Sequence, residues 1–317
     1  MSSTQVRYRD AVAEALRMEM HRDTAVVLLA QDRGPDPNGA TRGFAGLFGE
    51  RFVPLALSGD AIIGAAAGAA AAGLRPVCEI PISEFGARAL GELTRVAELC
   101  RTERLELPLL VRVPLGGYAS SGAADGALDP ETWLLGLEEI RVVAPATPGD
   151  AKGMTASALR HPAPVCLLEH EALGEVVDTV PEGGHRTPLG EARVVAGGER
   201  LTLIAYGPAV QLATRAAAEL EGIEVLDLRS LQPLDEVTIL ASVARTGRVV
   251  IVSEAGRSSR IAGEVSALVA ERAFQHLQAP PRRAVIPPPD SASLRAGGER
   301  PRAVRVIADA CSELIAG

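Results

Sequence analysis

Ala61-Ile62-Ile63-Gly64-Ala65-Ala66-Ala67-Gly68-Ala69-Ala70-Ala71-Ala72-Gly73-Leu74 is the longest apolar run in the chain, and Arg75-Pro76-Val77-Cys78-Glu79-Ile80 follows it directly. Fourteen residues are short for a membrane span, and three glycines interrupt them, so the run reads as a buried helix. The segment Pro76–Ile80 then reads as a strand. A buried helix delivering the chain straight into a short apolar strand is the repeating step of an α/β sheet.

Working outward, the same alternation recurs. Strands are expected at Ala25–Ala30, Val53–Leu57, Leu109–Val113, Val142–Ala144 and Val165–Leu168. They are continuous apolar runs, the mark of strands buried on both faces of a parallel sheet. Helices are expected at Tyr8–Arg22, Phe85–Arg101, Pro130–Glu138 and Gly149–Arg160. Glu175–Thr187 is polar, holds Pro and Gly, lacks periodicity and reads as a linker. A second series follows: strands Leu201–Tyr206, Ile223–Leu228 and Val249–Ser253, and helices Ala209–Leu220, Asp235–Arg245, Ile261–Gln275 and about Ala303–Ile315. Pro287-Pro288-Pro289 marks an exposed loop before the last helix. The expected organisation is two α/β domains, residues 1–185 and 186–317.

Composition narrows the class. The chain has 317 residues, with 53 Ala and 32 Gly but only 3% aromatics, so its cores must be built from Ala, Val, Leu and Ile. Lys152 is the only lysine among 32 cationic residues, and the formal charge is −8. No basic patch for nucleic acid stands out. The first residues lack a basic flank followed by an apolar run, so neither a secretory leader nor a membrane segment is expected, and the location expected is cytoplasmic. Cys78, Cys100, Cys166 and Cys311 form no CxxC pair and have no His at metal-ligand spacing, which argues against structural zinc and for buried free thiols.

Several strings together carry a family resemblance: Ala72-Gly73-Leu74-Arg75-Pro76-Val77, Arg141-Val142-Val143-Ala144-Pro145 with Thr147-Pro148-Gly149-Asp150-Ala151-Lys152-Gly153, Leu168-Glu169-His170-Glu171, and Val225 to Asp235 followed by Thr246-Gly247-Arg248-Val249-Val250. In this order the chain resembles the beta subunit of thiamine-diphosphate-dependent 2-oxoacid dehydrogenases of the pyruvate, branched-chain and acetoin types. The resemblance runs from Tyr8 to about Ala279. It implies a pyrimidine-binding domain followed by a transketolase-type C-terminal domain. It also implies an alpha2beta2 assembly with thiamine diphosphate at each alpha–beta interface. The alpha chain of the family supplies a Gly-Asp-Gly…Asn signature for magnesium and the diphosphate. This chain has neither that signature nor a GxxxxGK[ST] loop, so it is expected to supply only the pyrimidine half. The acceptor implied is a lipoyl domain or a carrier-bound thioester.

In the family a glutamate bonds a ring nitrogen of the aminopyrimidine and starts a proton relay, which needs a dry, pre-organised carboxylate. Aligning back from Arg75 without a gap puts Ser58 on the serine before it and Gly59 on the glutamate itself, with Asp60 one residue later. The family also carries His-Ser-Gln seven residues before a Trp. Counting back from Trp133 gives Gly126, with Asp125 beside it. Both signature positions are glycine, each flanked by an aspartate. Asp60 and Asp125 either substitute after a local backbone shift, or serve as a residue in the first turn of a helix and a solvated loop residue. A third possibility is a variant site without the glutamate relay, and a related transketolase-like or carboligase reaction with unusual proton chemistry also stays open. Phe85 matches an aromatic that packs on the pyrimidine, or is plain core, and Glu84 sits in the same approach. Carbonyls around Ala144 and Asp150 match a monovalent-cation site, K+, while Asp150 also fits a helix cap. The resemblance therefore implies an enzyme subunit acting on a 2-oxoacid or related ketol donor. The alternative is a catalytically impaired subunit that keeps only the alpha-chain interface.

Overall fold

The computed structural model describes residues 3–31, 40–80, 85–115, 130–253, 260–286 and 299–316. The chain divides into two compact units at Leu189/Gly190, with residues 130–132 grouped with the second.

In unit 1 the elements are β1 (Ser3–Arg7), α1 (Tyr8–Arg22), β2 (Val26–Gln31), α2 (Phe44–Phe48), β3 (Phe52–Leu55), α3 (Gly59–Ala71), β4 (Arg75–Glu79), α4 (Ala87–Thr102), β5 (Leu110–Leu115), α5 (Pro130–Leu134, which begins in the residues grouped with unit 2), β6 (Arg141–Val143), α6 (Pro148–Arg160), β7 (Val165–His170) and β8 (Val177–Pro181). The strands of the main sheet run in the order β6-β7-β5-β4-β2-β3. Every pair within that run is parallel. Val26, Leu28, Val77, Leu110, Val143, Val165 and Leu167 are buried in it with Leu16, Met20 and Met154 of the covering helices. The buried strand residues are mostly aliphatic, as the low aromatic content implies, while Tyr8, Phe44 and Phe48 join the same core from the elements around the sheet.

The helices start and stop for local reasons. Thr147 caps α6: its hydroxyl accepts from the Asp150 amide at 3.2 Å and donates to the Asp150 carboxylate at 2.8 Å, with Pro148 in the first turn. The first of these bonds satisfies one amide donor that a helix start leaves open, and proline at the first turn has no amide N–H to satisfy. The C-terminal end of α1 is closed by Arg51, whose guanidinium donates to the carbonyls of Met20 at 2.7 Å and Asp23 at 3.3 Å. The α3 helix buries Ile62, Ile63, Ala66, Ala67 and Ala70, so the decisive apolar run is a helix packed on the sheet.

The linker expectation fails in unit 1. The stretch 175–187 is not an unstructured linker, because Val177–Pro181 pairs antiparallel with Ser3–Arg7. Only Val180 of that strand is buried, so the pairing leaves little trace in hydrophobic pattern. It is anchored instead by Lys152, itself buried, which donates to the Pro181 carbonyl at 2.8 Å and pairs with Glu14 at 2.9 Å. The strand β1 is likewise invisible to periodicity, and α5 ends at Leu134 rather than at Glu138.

Unit 2 contains β9 (Arg193–Ala196), β10 (Leu201–Ala205), α7 (Ala209–Ala218), β11 (Ile223–Asp227), β12 (Ser230–Gln232), α8 (Glu236–Thr246), β13 (Val249–Ser253), α9 (Arg260–Arg272), β14 (Arg282–Val285) and α10 (Glu299–Ala316). The sheet order is β14-β13-β10-β11-β9, parallel except for β9. Asp235 caps α8 by accepting from the Thr238 amide at 3.0 Å, and Gly247 closes the helix with φ 70°. Both edge strands escape a sequence reading because each is short and half exposed. The last helix begins at Glu299, earlier than expected. The Pro287–Pro289 stretch lies outside the described residues.

Candidate functional site

In a parallel α/β sheet, ligands bind beyond the carboxyl ends of the strands. At that edge of unit 1, β3 runs through residues 56–58 into α3, and the candidates Ser58, Gly59 and Asp60 occupy the turn and the first helical positions. Ser58 is the extended N-cap residue (φ −69°, ψ 160°), Gly59 is buried, and Asp60 is half-buried in the first turn. The Ser58 hydroxyl lowers the Asp60 carboxyl below its ordinary value, working against burial. The amides of Asp60 and Ala61 and the charge of Arg88 act in the same direction as Ser58. The Oδ1 atom of Asp60 is shielded from solvent and has no hydrogen-bond partner among the described residues. A shielded carboxylate oxygen without a donor is costly unless something supplies one.

The turn before α3 is held from β2. The Gln31 side-chain amide donates to the Leu57 carbonyl at 2.9 Å. The Gln31 Oε1 atom is also shielded and without a donor among the described residues.

Phe85 has no exposed surface, so within this chain it belongs to the core and presents no free face to a ring. Asp150 is buried and serves as the capping partner of Thr147. Ala144 is buried in the connection leaving β6, where the neighbouring Pro145 carbonyl accepts from the Tyr8 hydroxyl at 3.3 Å. No group of three or more His, Cys, Asp and Glu that could hold a metal ion occurs among the described residues. Glu84, Asp125 and Gly126 lie outside the described residues.

Sequence reading missed a charged cluster at the same edge. Arg112 of β5 grips Glu169 of β7 with both arms of its fork, Nε–Oε1 at 2.6 Å and Nη2–Oε2 at 2.9 Å. Its Nη1 reaches Glu79 of β4 at 2.9 Å, and the Thr41 hydroxyl donates to the same Glu79 oxygen at 3.3 Å. All four residues are buried. The Glu169-His170-Glu171 run, which resembles a metal pattern by eye, thus spends its first carboxylate on an arginine. The available signal was a charge set inside three apolar strand runs. Buried charges of this kind demand partners. His170 is neutral: burial brings it down to about 4, and its Nδ1 accepts from the Ala172 amide at 3.1 Å.

Known proteins match nearly the whole chain. Residues 4–176 match the transketolase pyrimidine-binding domain and residues 190–296 the transketolase C-terminal domain. The beta subunit of the acetoin:2,6-dichlorophenolindophenol oxidoreductase of Cupriavidus necator is 38% identical over 290 residues, covering 85% of each chain. The beta subunit of the pyruvate dehydrogenase E1 component of Staphylococcus epidermidis is 38% identical over 294 residues, covering 85% of this chain and 86% of its own. Among solved structures, a split-gene transketolase in an inactive beta4 tetramer superposes with a TM-score of 0.75, covering 97% of this chain and 98% of that one. At 22% identity that likeness speaks to the fold alone.

Proposed function

The chain belongs to the family of beta subunits of thiamine-diphosphate-dependent 2-oxoacid dehydrogenases, and from that premise we propose that it supplies the pyrimidine half of a thiamine diphosphate site completed by an alpha chain. The observation that carries this reading is Asp60: a shielded carboxylate oxygen without a donor among the described residues, at a helix N-terminus on the ligand-binding edge of the sheet. The imino or ring-protonated form of an aminopyrimidine would carry an N–H at the ring nitrogen, the donor that this atom lacks, so the residues present fit that half of the cofactor. No Gly-Asp-Gly…Asn sequence occurs in the chain, so magnesium and the diphosphate fall to the partner.

When bound, thiamine diphosphate supplies the carbanion chemistry that cleaves a bond beside a carbonyl. The chain's own contribution is electrostatic and protonic. Gly59 leaves the family's glutamate position without a carboxylate, and Asp60 offers one a residue later. Ser58 and the amides of Asp60 and Ala61 hold that carboxylate ready to accept. Oδ1 of Asp60 then keeps a proton at the ring. The substrate class is a 2-oxoacid or a related ketol donor. The acyl or aldehyde unit passes to an acceptor of lipoyl or carrier-thioester type, and the assembly is alpha2beta2.

A second reading has an observation of its own. The same hydrogen bonds that ready Asp60 also favour its ionised form, and a group locked as an anion does not shuttle protons. Under that reading the chain is an impaired subunit that retains the alpha interface. The experiment is to co-express the chain with an alpha-type partner and titrate thiamine diphosphate with magnesium. The proposal expects a stable complex that binds the cofactor while the separate chain does not. A complex that fails to form, or binds no cofactor, contradicts it.

A further inference from the structure

We propose that Gln31 is a cofactor-contact residue, its Oε1 accepting an N–H from the exocyclic amino group of the aminopyrimidine. The inference rests on the functional reading above and extends it to a residue outside the strings that carry the family resemblance.

Gln31 is the last residue of β2, at the carboxyl edge of the parallel sheet. Its orientation is fixed from one side. The Leu57 carbonyl can only accept, and the Gln31 side chain meets it at 2.9 Å, so the amide nitrogen must face Leu57. The amide oxygen therefore faces away from Leu57. That oxygen is shielded from solvent and has no donor among the described residues. Glutamine carries two acceptor lone pairs there, and burying them unmet is disfavoured unless a donor arrives.

Asp60 shows the same deficit three residues along from Leu57. Gln31 bonds Leu57, and Asp60 follows Ser58 by two residues in the same turn, so two donor-seeking oxygens flank the dipeptide Leu57-Ser58. Both are acceptors. A ligand suited to them presents N–H groups rather than carboxylates or phosphates. An aminopyrimidine does so, with an exocyclic amino group carrying two donors. The diphosphate end of the same cofactor does not, which agrees with its assignment to the partner chain. The backbone of Gln31 is itself held by pairing with Leu55 of β3, one residue beyond the point where β4 pairs with Ala30.

The test uses the complex with the alpha partner and two ligands, thiamine diphosphate and its analogue lacking the ring amino group. Dissociation constants are measured for wild type, Gln31→Met and Gln31→Glu, with the melting temperature of each. Gln31→Met keeps the length of the side chain and removes the acceptor. It is expected to weaken thiamine diphosphate binding by roughly tenfold and to leave the analogue nearly unaffected. Gln31→Glu keeps an acceptor oxygen and is expected to bind thiamine diphosphate more tightly than Gln31→Met. If removal of the amino group costs wild type and Gln31→Met the same factor, the contact does not exist and the inference is overturned. If Gln31→Met fails to fold because Leu57 has lost its donor, Gln31→Glu decides. An amino-group cost equal to or above the wild-type cost then supports the contact, and a vanishing cost overturns it. Wild type that binds neither ligand overturns the functional reading itself, an outcome distinct from equal costs in the two proteins.

Discussion

Ser58 and Asp60 stand two residues apart at the start of α3, and the hydroxyl of the first holds the carboxylate of the second below its ordinary titration range. This relationship sets the behaviour of the site before any ligand arrives. Removing the hydroxyl in Ser58→Ala should raise the Asp60 pKa, measured by NMR titration of the carboxyl carbon. A depressed folded-state value stabilises the fold above the unfolded value of 3.8 and is lost as pH falls through the folded one. Acid unfolding below about pH 4 should therefore begin at slightly higher pH in Ser58→Ala than in wild type. An unchanged titration would mean that the helix-start amides alone hold the carboxylate.

His170 gives a second, separable acid response. Its value falls from 6.5 to about 4 because burial disfavours the imidazolium. For a histidine depressed in this way, stability is present above pH 6.5 and is lost as pH drops toward 4. The shift sets an upper bound of about 3 kcal/mol on that loss. Protonation at Nδ1 would also break the bond from the Ala172 amide. His170→Asn retains an acceptor for that amide and cannot charge. Urea unfolding at about pH 7 and about pH 5 should show a smaller difference in this variant than in wild type. An equal difference would place the acid sensitivity elsewhere.

Gly153 in α6 is required by the segment that crosses it. A methyl group there would lie 2.7 Å from the Thr187 backbone nitrogen and 2.9 Å from His185, and closer still to the Thr187 hydroxyl. Alanine is the better helix former by about 1 kcal/mol. The clash with backbone outweighs this, because overpacking a rigid contact costs about 1–3 kcal/mol. Gly153→Ala should lower the melting temperature. A variant as stable as wild type would mean that residues 185–187 are not fixed on the helix.

The main sheets were legible because their strands are continuous apolar runs and α3 carries the longest stretch without a charge or polar side chain between them. Apolar periodicity plays no part in β1 and β8, where pairing and the Lys152 anchor hold exposed residues in place, so those strands left no pattern to read. Of the candidate site, Ser58 and Asp60 are reached in the sequence by counting back from Arg75. Gln31 was passed over because a single polar residue ending a strand is an ordinary feature of sequence. Its meaning lies in an oxygen left without a donor among the described residues, which only three-dimensional neighbours reveal. Glu79 and Glu169 lie 33 and 57 residues from Arg112 in sequence, and their cluster exists only because the sheet order sets β4, β5 and β7 side by side.

On the proposed function, Asp60 does the work of the glutamate absent at Gly59. The direct measurement is hydrogen–deuterium exchange at the thiazolium carbon of thiamine diphosphate, followed by NMR after acid quench, in the complex with the alpha partner. Wild type should exchange faster than free cofactor, and Asp60→Asn should fall to the free rate while still binding the cofactor. Wild-type exchange at the rate of free cofactor, or Asp60→Asn exchange as fast as wild type, would contradict that role for Asp60.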